Sequence, residues 1–144
     1  MNLFAGTYLY GLDKPLPSDV VSAYITALVC VARENGIVES ESRVIQGIAD
    51  ILGAMPFTVS RALAASGEHH LEPALQALSD HPSMMAMLYR DALLVARADG
   101  EVSPDEEGAL IRIATQLGLS REHRKAATEA ADMLARVRQT MAQL

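Results

Sequence analysis

The sequence predicts an all-α, single-domain bundle of about seven helices that contains an internal pseudo-twofold helix-loop-helix repeat. The length of 144 residues fits one domain. Half of the residues are hydrophobic but only 4% are aromatic and Trp is absent, so Ala, Leu, Ile, Val and seven Met must build the core. This composition is typical of packed helices. Apolar residues recur at helical spacing, and no alternating strand pattern of useful length is present.

Residues 1–17 are predicted to form an N-terminal arm, and residues 18–144 the helical domain. The arm is expected to be irregular or a short helix, because Gly6, Gly11, Pro15 and Pro17 interrupt it. It is also too apolar to lie free in water. We therefore expect it to dock on its own domain or across a dimer through Phe4, Tyr8, Leu9 and Tyr10.

The first half of the domain contains four predicted helices. The first covers about 19–34, with Ser18 as its N-cap and an uncharged run that indicates burial on nearly all sides. The second covers 40–52 and is closed by Gly53. A third, at 56–65, stops at Gly67, and a shorter fourth covers 71–78.

Three further helices follow. Ser83 caps a Met-rich fifth helix that extends to about residue 98. The sixth begins with a capping box, in which Ser103 is the N-cap, Pro104 the first helical residue and Glu106 the N3 residue, and it ends at Gly118. A final amphipathic helix covers 120–144. The first and fifth helices are expected to form the central pair.

The two halves share a sequence frame. Residues 32–38 align with 96–102, and one inserted residue in the second loop brings Glu41 onto Glu106. The alignment continues at helical spacing, with Ile45, Ile48, Ala49, Leu52 and Gly53 on Leu110, Ile113, Ala114, Leu117 and Gly118. Two copies of helix, acidic loop and helix indicate an internal pseudo-twofold.

The second loop is rich in acids. Asp105, Glu106 and Glu107 lie in the first turn of a helix, where the positive end of the helix dipole stabilises carboxylates. Asp99 has no such explanation, because it lies at a helix C-terminus. Its charge calls for a cation, and the sequence leaves open whether this is Arg97, Arg112 or a metal ion shared with Glu106.

These acids predict a divalent cation site. The metal ligands would be Asp99 and Glu106, with Asn35 and Glu41 added if the two copies lie close together. Oxygen ligands favour Ca²⁺, Mg²⁺ or Mn²⁺ over Zn²⁺. The alternative is that the loops are only well-capped turns of a protein-protein interaction or adaptor module. A metal-dependent hydrolase is a further alternative.

The second copy, at Ala98-Asp99-Gly100, Val102 and Glu106, resembles the TerB-like family of bacterial tellurite-resistance proteins. The first copy departs from that pattern, with Glu34-Asn35-Gly36 in place of Ala-Asp-Gly. The resemblance extends from about residue 20 to 119. It implies a non-enzymatic module that binds a divalent cation or a protein partner in a bacterial stress, tellurite-resistance or envelope-associated response.

Charge and motifs exclude several classes of function. The net charge of −6 argues against nucleic acid as a partner, leaving a protein partner or a homodimer. The longest uncharged run, residues 20–32, is too short for a transmembrane segment, although peripheral membrane association stays open. With a single cysteine and no export signal, a cytoplasmic location is expected. No catalytic constellation or organic cofactor motif is present, so we predict that the chain is not an enzyme.

Overall fold

The computed structural model describes residues 1–33, 37–65, 70–98, 100, 102 and 104–144. Within these residues the chain forms eight α-helices and no β-strand. The helices are α1 (Leu3–Tyr10), α2 (Ser18–Ala32), α3 (Glu39–Leu52), α4 (Thr58–Ala64), α5 (Leu71–Ala77), α6 (Ser83–Ala96), α7 (Pro104–Gln116) and α8 (Arg121–Ala142). The predicted all-α fold is confirmed, and the eighth helix is the short one at the N-terminus.

Helices α2 and α6 form the centre of the bundle. α2 packs against α3, α4, α5 and α6, and its Tyr24, Ile25 and Leu28 are fully buried. α6 packs against α8, α3 and α7 as well as α2, and buries Leu88 and Val95 completely. The predicted central pair is therefore present, and the uncharged run in α2 is explained by contacts on nearly every side.

Helix ends follow the predicted signals with small shifts. Ser18 and Ser83 are the first residues of α2 and α6 and not their N-caps, because Pro17 and Pro82 occupy the cap positions. Ser120 caps α8, its side chain accepting a hydrogen bond from the backbone N–H of His123 at 3.1 Å. The predicted cap at Ser103 lies outside the described residues, although α7 begins at Pro104 as expected.

The two halves of the bundle repeat each other in three dimensions. α2 ends at Ala32 and α6 at Ala96, the two positions that the sequence alignment pairs. α3 and α7 bury the aligned apolar residues, except that Leu117 is only partly buried and lies just after α7. A glycine with positive φ follows in each copy, 75° at Gly53 and 70° at Gly118. The same backbone hydrogen bond closes both turns, from Ala54 to Ala49 and from Leu119 to Ala114.

The N-terminal arm is partly a docked helix. Asn2 caps α1 by accepting from the N–H of Ala5, and its own N–H donates to the carbonyl of Ile51 at 3.0 Å. Tyr10 is buried and Leu9 packs on the core, as the sequence predicted. The side chains of Phe4 and Tyr8 are each 75% exposed, so this domain does not cover them. Docking across a dimer stays a prediction for these two.

Replacing Gly53 with Ala is expected to cost more free energy of unfolding than replacing Gly118 with Ala. Both changes place a side chain in the left-handed region, at a cost of about 1–2 kcal/mol. A Cβ at Gly53 would also lie 2.7 Å from the backbone nitrogen of Met1, whereas nothing lies within 4 Å at Gly118. We expect an extra cost of about 1–3 kcal/mol for Gly53→Ala in urea unfolding. Equal costs would mean that the first residues do not pack against α3 in solution.

Candidate functional site

Glu41 and Glu106, two of the four predicted metal ligands, line one small cavity. Each lies in the first turn of its helix, Glu41 in α3 and Glu106 in α7. The cavity has a volume of about 30 Å³, which is close to the space that one water molecule occupies in the liquid. The structure thus brings together two carboxylates that lie 65 positions apart and occupy equivalent places in the repeat.

The rest of this cavity is apolar. It is walled by aliphatic side chains of α2, α6 and α7, namely Val31, Ala32, Ala92, Ala96, Ala109, Leu110 and Ile113. Glu41 is only 8% exposed, and Glu106 is half-buried. Walls of this kind lower the local dielectric response, which strengthens the attraction between a cation and a carboxylate but also raises the cost of removing water from both.

Glu41 also caps the N-terminus of α3. Its Oε1 accepts a hydrogen bond from the backbone N–H of Val38 at 3.0 Å, which holds the first turn of α3. A carboxylate has about four lone-pair directions, so this bond is compatible with a second role as a ligand. Capping and metal binding are therefore not exclusive at this position.

The other two predicted ligands, Asn35 and Asp99, lie outside the described residues. In the part of the chain that is described, no three Asp, Glu, His or Cys side chains cluster in a way that could hold a metal ion. A site with three or more such protein ligands would need at least one residue outside the described part, such as Asp99. The fit is therefore between two positioned carboxylates and a hard cation that prefers oxygen ligands.

The arginines that end α2 and α6 reach the helices that follow in each half. Arg33 donates to the carbonyls of Leu63 and Ala65 at the end of α4, the second of these bonds at 2.9 Å. Arg97 pairs with Asp132 of α8, with 2.6 Å between Nη1 and Oδ1. Arg97, one of the cations considered for Asp99, therefore has a partner on another helix.

Sequence analysis missed a buried polar network centred on Asp91, which is only 1% exposed. Asp91 Oδ2 accepts hydrogen bonds from the hydroxyls of Tyr24 at 2.5 Å and Tyr10 at 2.7 Å. Oδ1 accepts from Arg90 Nε at 3.1 Å and lies 3.0 Å from Arg90 Nη2. Arg90 Nη1 donates to the carbonyl of Leu9, and its guanidinium lies 4.7 Å from the Tyr10 ring centroid.

Burial shifts the pKa values of the acidic groups in this network. It raises the pKa of the Asp91 carboxyl, an effect opposed by the charge of Arg90 and by the tyrosine hydroxyls. Burial likewise raises the pKa of Tyr24 and of Tyr10, and the nearby Asp91 raises both further. The hydroxyls therefore stay protonated and remain donors at neutral pH. The signal in the sequence was the Arg90-Asp91 pair, the only charged residues of α6.

Fold and site together define a helical bundle with a repeated helix-loop-helix unit, in which one glutamate from each copy lines a shared cavity. No family model matches the chain, and no curated protein matches it. Among solved structures, the chain is similar to a tellurite resistance protein from Nostoc punctiforme, whose crystal structure was determined at 1.85 Å resolution. The TM-score is 0.84 at 18% identity, and the match covers 98% of this chain and 89% of that one. The predicted tellurite-resistance fold is thus confirmed.

The sequence predicts no transmembrane segment. Within the described residues, every helix is too short or too polar to cross a bilayer.

Proposed function

We propose that this chain is a non-enzymatic TerB-like module that binds a divalent cation between the two halves of its repeat. The observation that carries the proposal is the shared cavity of Glu41 and Glu106. Two glutamates that line one cavity would offer oxygen ligands to a hard cation, and Ca²⁺, Mg²⁺ or Mn²⁺ is the expected class. Asn35 and Asp99, on the loops before α3 and α7, would complete the ligand set.

The biological setting is proposed from the fold. The similar protein from Nostoc punctiforme is described as a tellurite resistance protein. We propose a related role for this chain, in a bacterial response to tellurite or to another stress, exerted in the cytoplasm. Cation binding would then stabilise the arrangement of the two halves and so regulate what the module binds.

An adaptor that acts without metal is the second candidate. Apolar side chains recur along the last turns of α8, with Met133, Val137 and Met141 all more than half exposed. An amphipathic helix end of this kind is typical of a surface that contacts another protein. This reading requires no cation, and the two candidates are separated by whether the ion changes stability.

Adding Ca²⁺, Mg²⁺ or Mn²⁺ to chelator-treated protein is expected to raise the melting temperature by on the order of 10 °C at a hundredfold excess over Kd. Native-state binding contributes about 2.7 kcal/mol under those conditions, and each kcal/mol shifts the melt of a domain of this size by a few degrees. Glu106→Gln and Asp99→Asn should abolish most of the increase.

Glu107→Gln serves as the control, because Glu107 is a neighbouring, exposed glutamate of the same helix turn. Glu106→Gln should also leave the metal-free melting temperature nearly unchanged, since Gln replaces Glu in a capping box with little loss. If no ion in millimolar excess moves the wild-type melt, the cation proposal is wrong. A large loss of metal-free stability with ion affinity retained would make Glu106 purely structural.

A further inference from the structure

A groove of about 890 Å³ lies over α6, between α7 and α8. Its floor is apolar, formed by Tyr89 and Leu93 of α6 and by Leu110 of α7. Ile111, on the α7 side, is 46% exposed. The volume falls within the range of ligand-binding clefts, and the groove is separate from the small cavity of the two glutamates.

The repeat shows why this groove is open. In the described first half, α2 is packed by the three helices that follow it, and α4 contacts both α2 and α3. In the described second half, both α7 and α8 pack against α6, but α7 and α8 make almost no contact with each other. The space between α7 and α8 is therefore left open, whereas α3 and α4 contact each other in the first half.

The described lining residues of the groove carry a charge opposite to that of the chain. Net charge is −6 overall, yet among the described lining residues there are four of the twelve Lys and Arg residues and two acids. The cations are Arg97, Arg121, Arg124 and Lys125, and the acids are Glu107 and Glu129. Arg97 is paired with Asp132, but among the described residues the three cations of α8 form no ion pair.

We infer that this groove binds a short, acidic, amphipathic helix of a partner protein. Two helical turns are about 11 Å long and 10–12 Å wide, so they occupy on the order of 1000 Å³, comparable to the groove. Apolar residues of the partner at i, i+3 and i+4 would contact the floor and Ile111, while its acids face the cations of α8.

A library of 12-residue helical peptides displayed on phage tests the inference, with full-length protein as the bait. Enriched peptides should be acidic and carry apolar residues at helical spacing. The triple variant Arg121→Glu, Arg124→Glu, Lys125→Glu should bind them at least about tenfold more weakly and should select basic peptides instead. Acids in the first turns of α8 suit the helix dipole, so this variant is expected to fold.

A matched control reverses Lys14, Arg136 and Arg138, which are exposed and outside the groove. It changes the net charge equally and should retain the peptides. Ile111→Ser should weaken binding without changing its dependence on salt. The inference is overturned if no peptide is enriched, or if the enriched peptides bind the groove variant and the control alike. It is also overturned if citrate or laurate competes fully with the peptides, because the groove would then bind a small anion. It is equally overturned if the groove variant, and not the control, abolishes self-association in light scattering, because the occupant would then be a second copy.

Discussion

Replacing Asp91 with Ala is expected to lower the free energy of unfolding by about 3–5 kcal/mol, the range found when one partner of a buried ion pair is removed. The change leaves Arg90 as a buried charge without its carboxylate, and it takes the acceptor from the hydroxyls of Tyr10 and Tyr24. Such a loss is a large part of the 5–15 kcal/mol that stabilises a typical domain. Urea unfolding followed by circular dichroism measures it.

Two variants calibrate this result. Asp132→Ala breaks the ion pair with Arg97, in which the Arg97 side chain is 29% exposed and the Asp132 side chain 54% exposed. Its loss should lower the free energy of unfolding by no more than about 1 kcal/mol. Asp91→Asn keeps an acceptor oxygen but removes the charge, so its cost should fall between the two. If Asp91→Ala costs no more than Asp132→Ala, the network does not stabilise the fold as described.

The bundle itself was predictable, because helical periodicity reports burial directly. Ile45, Ile48 and Ala49, and their counterparts in the second copy, were recognised by spacing alone and are all buried. Gly53 and Gly118 were recognised as helix ends because a left-handed residue without a Cβ is favoured there. Helical spacing, helix-ending glycines and the internal repeat were therefore enough to predict most of the fold.

Contacts between distant residues were less predictable. The repeat suggested that Glu41 and Glu106 could meet, and the structure places both at one cavity. No comparable pattern links Tyr10 to Asp91, which are 81 positions apart. Their meeting depends on how α1 folds back onto the bundle, and periodicity holds no information about that path. The groove was likewise invisible, since it depends on the angle between α7 and α8.

Deleting residues 1–10 is expected to destabilise the domain by at least about 3–5 kcal/mol, the usual cost of losing a buried aromatic side chain. The deletion removes the ring of Tyr10, which is 3% exposed, together with its hydrogen bond to Asp91. It also removes the Leu9 carbonyl that accepts from Arg90. Urea unfolding of the truncated chain measures the loss, and light scattering gives its mass.

The double variant Phe4→Ser, Tyr8→Ser separates docking on the domain from docking across a dimer. These rings lie 4.8 Å apart, centroid to centroid, and are mostly exposed, so within one chain their loss should change stability by less than about 1 kcal/mol. If they pack against a second copy, the variant should lower the mass in solution while Tyr10 keeps the arm on its own domain. Unchanged stability and unchanged mass after the full deletion would contradict both, because neither the contact of Tyr10 with Asp91 nor a dimer contact could then contribute in solution.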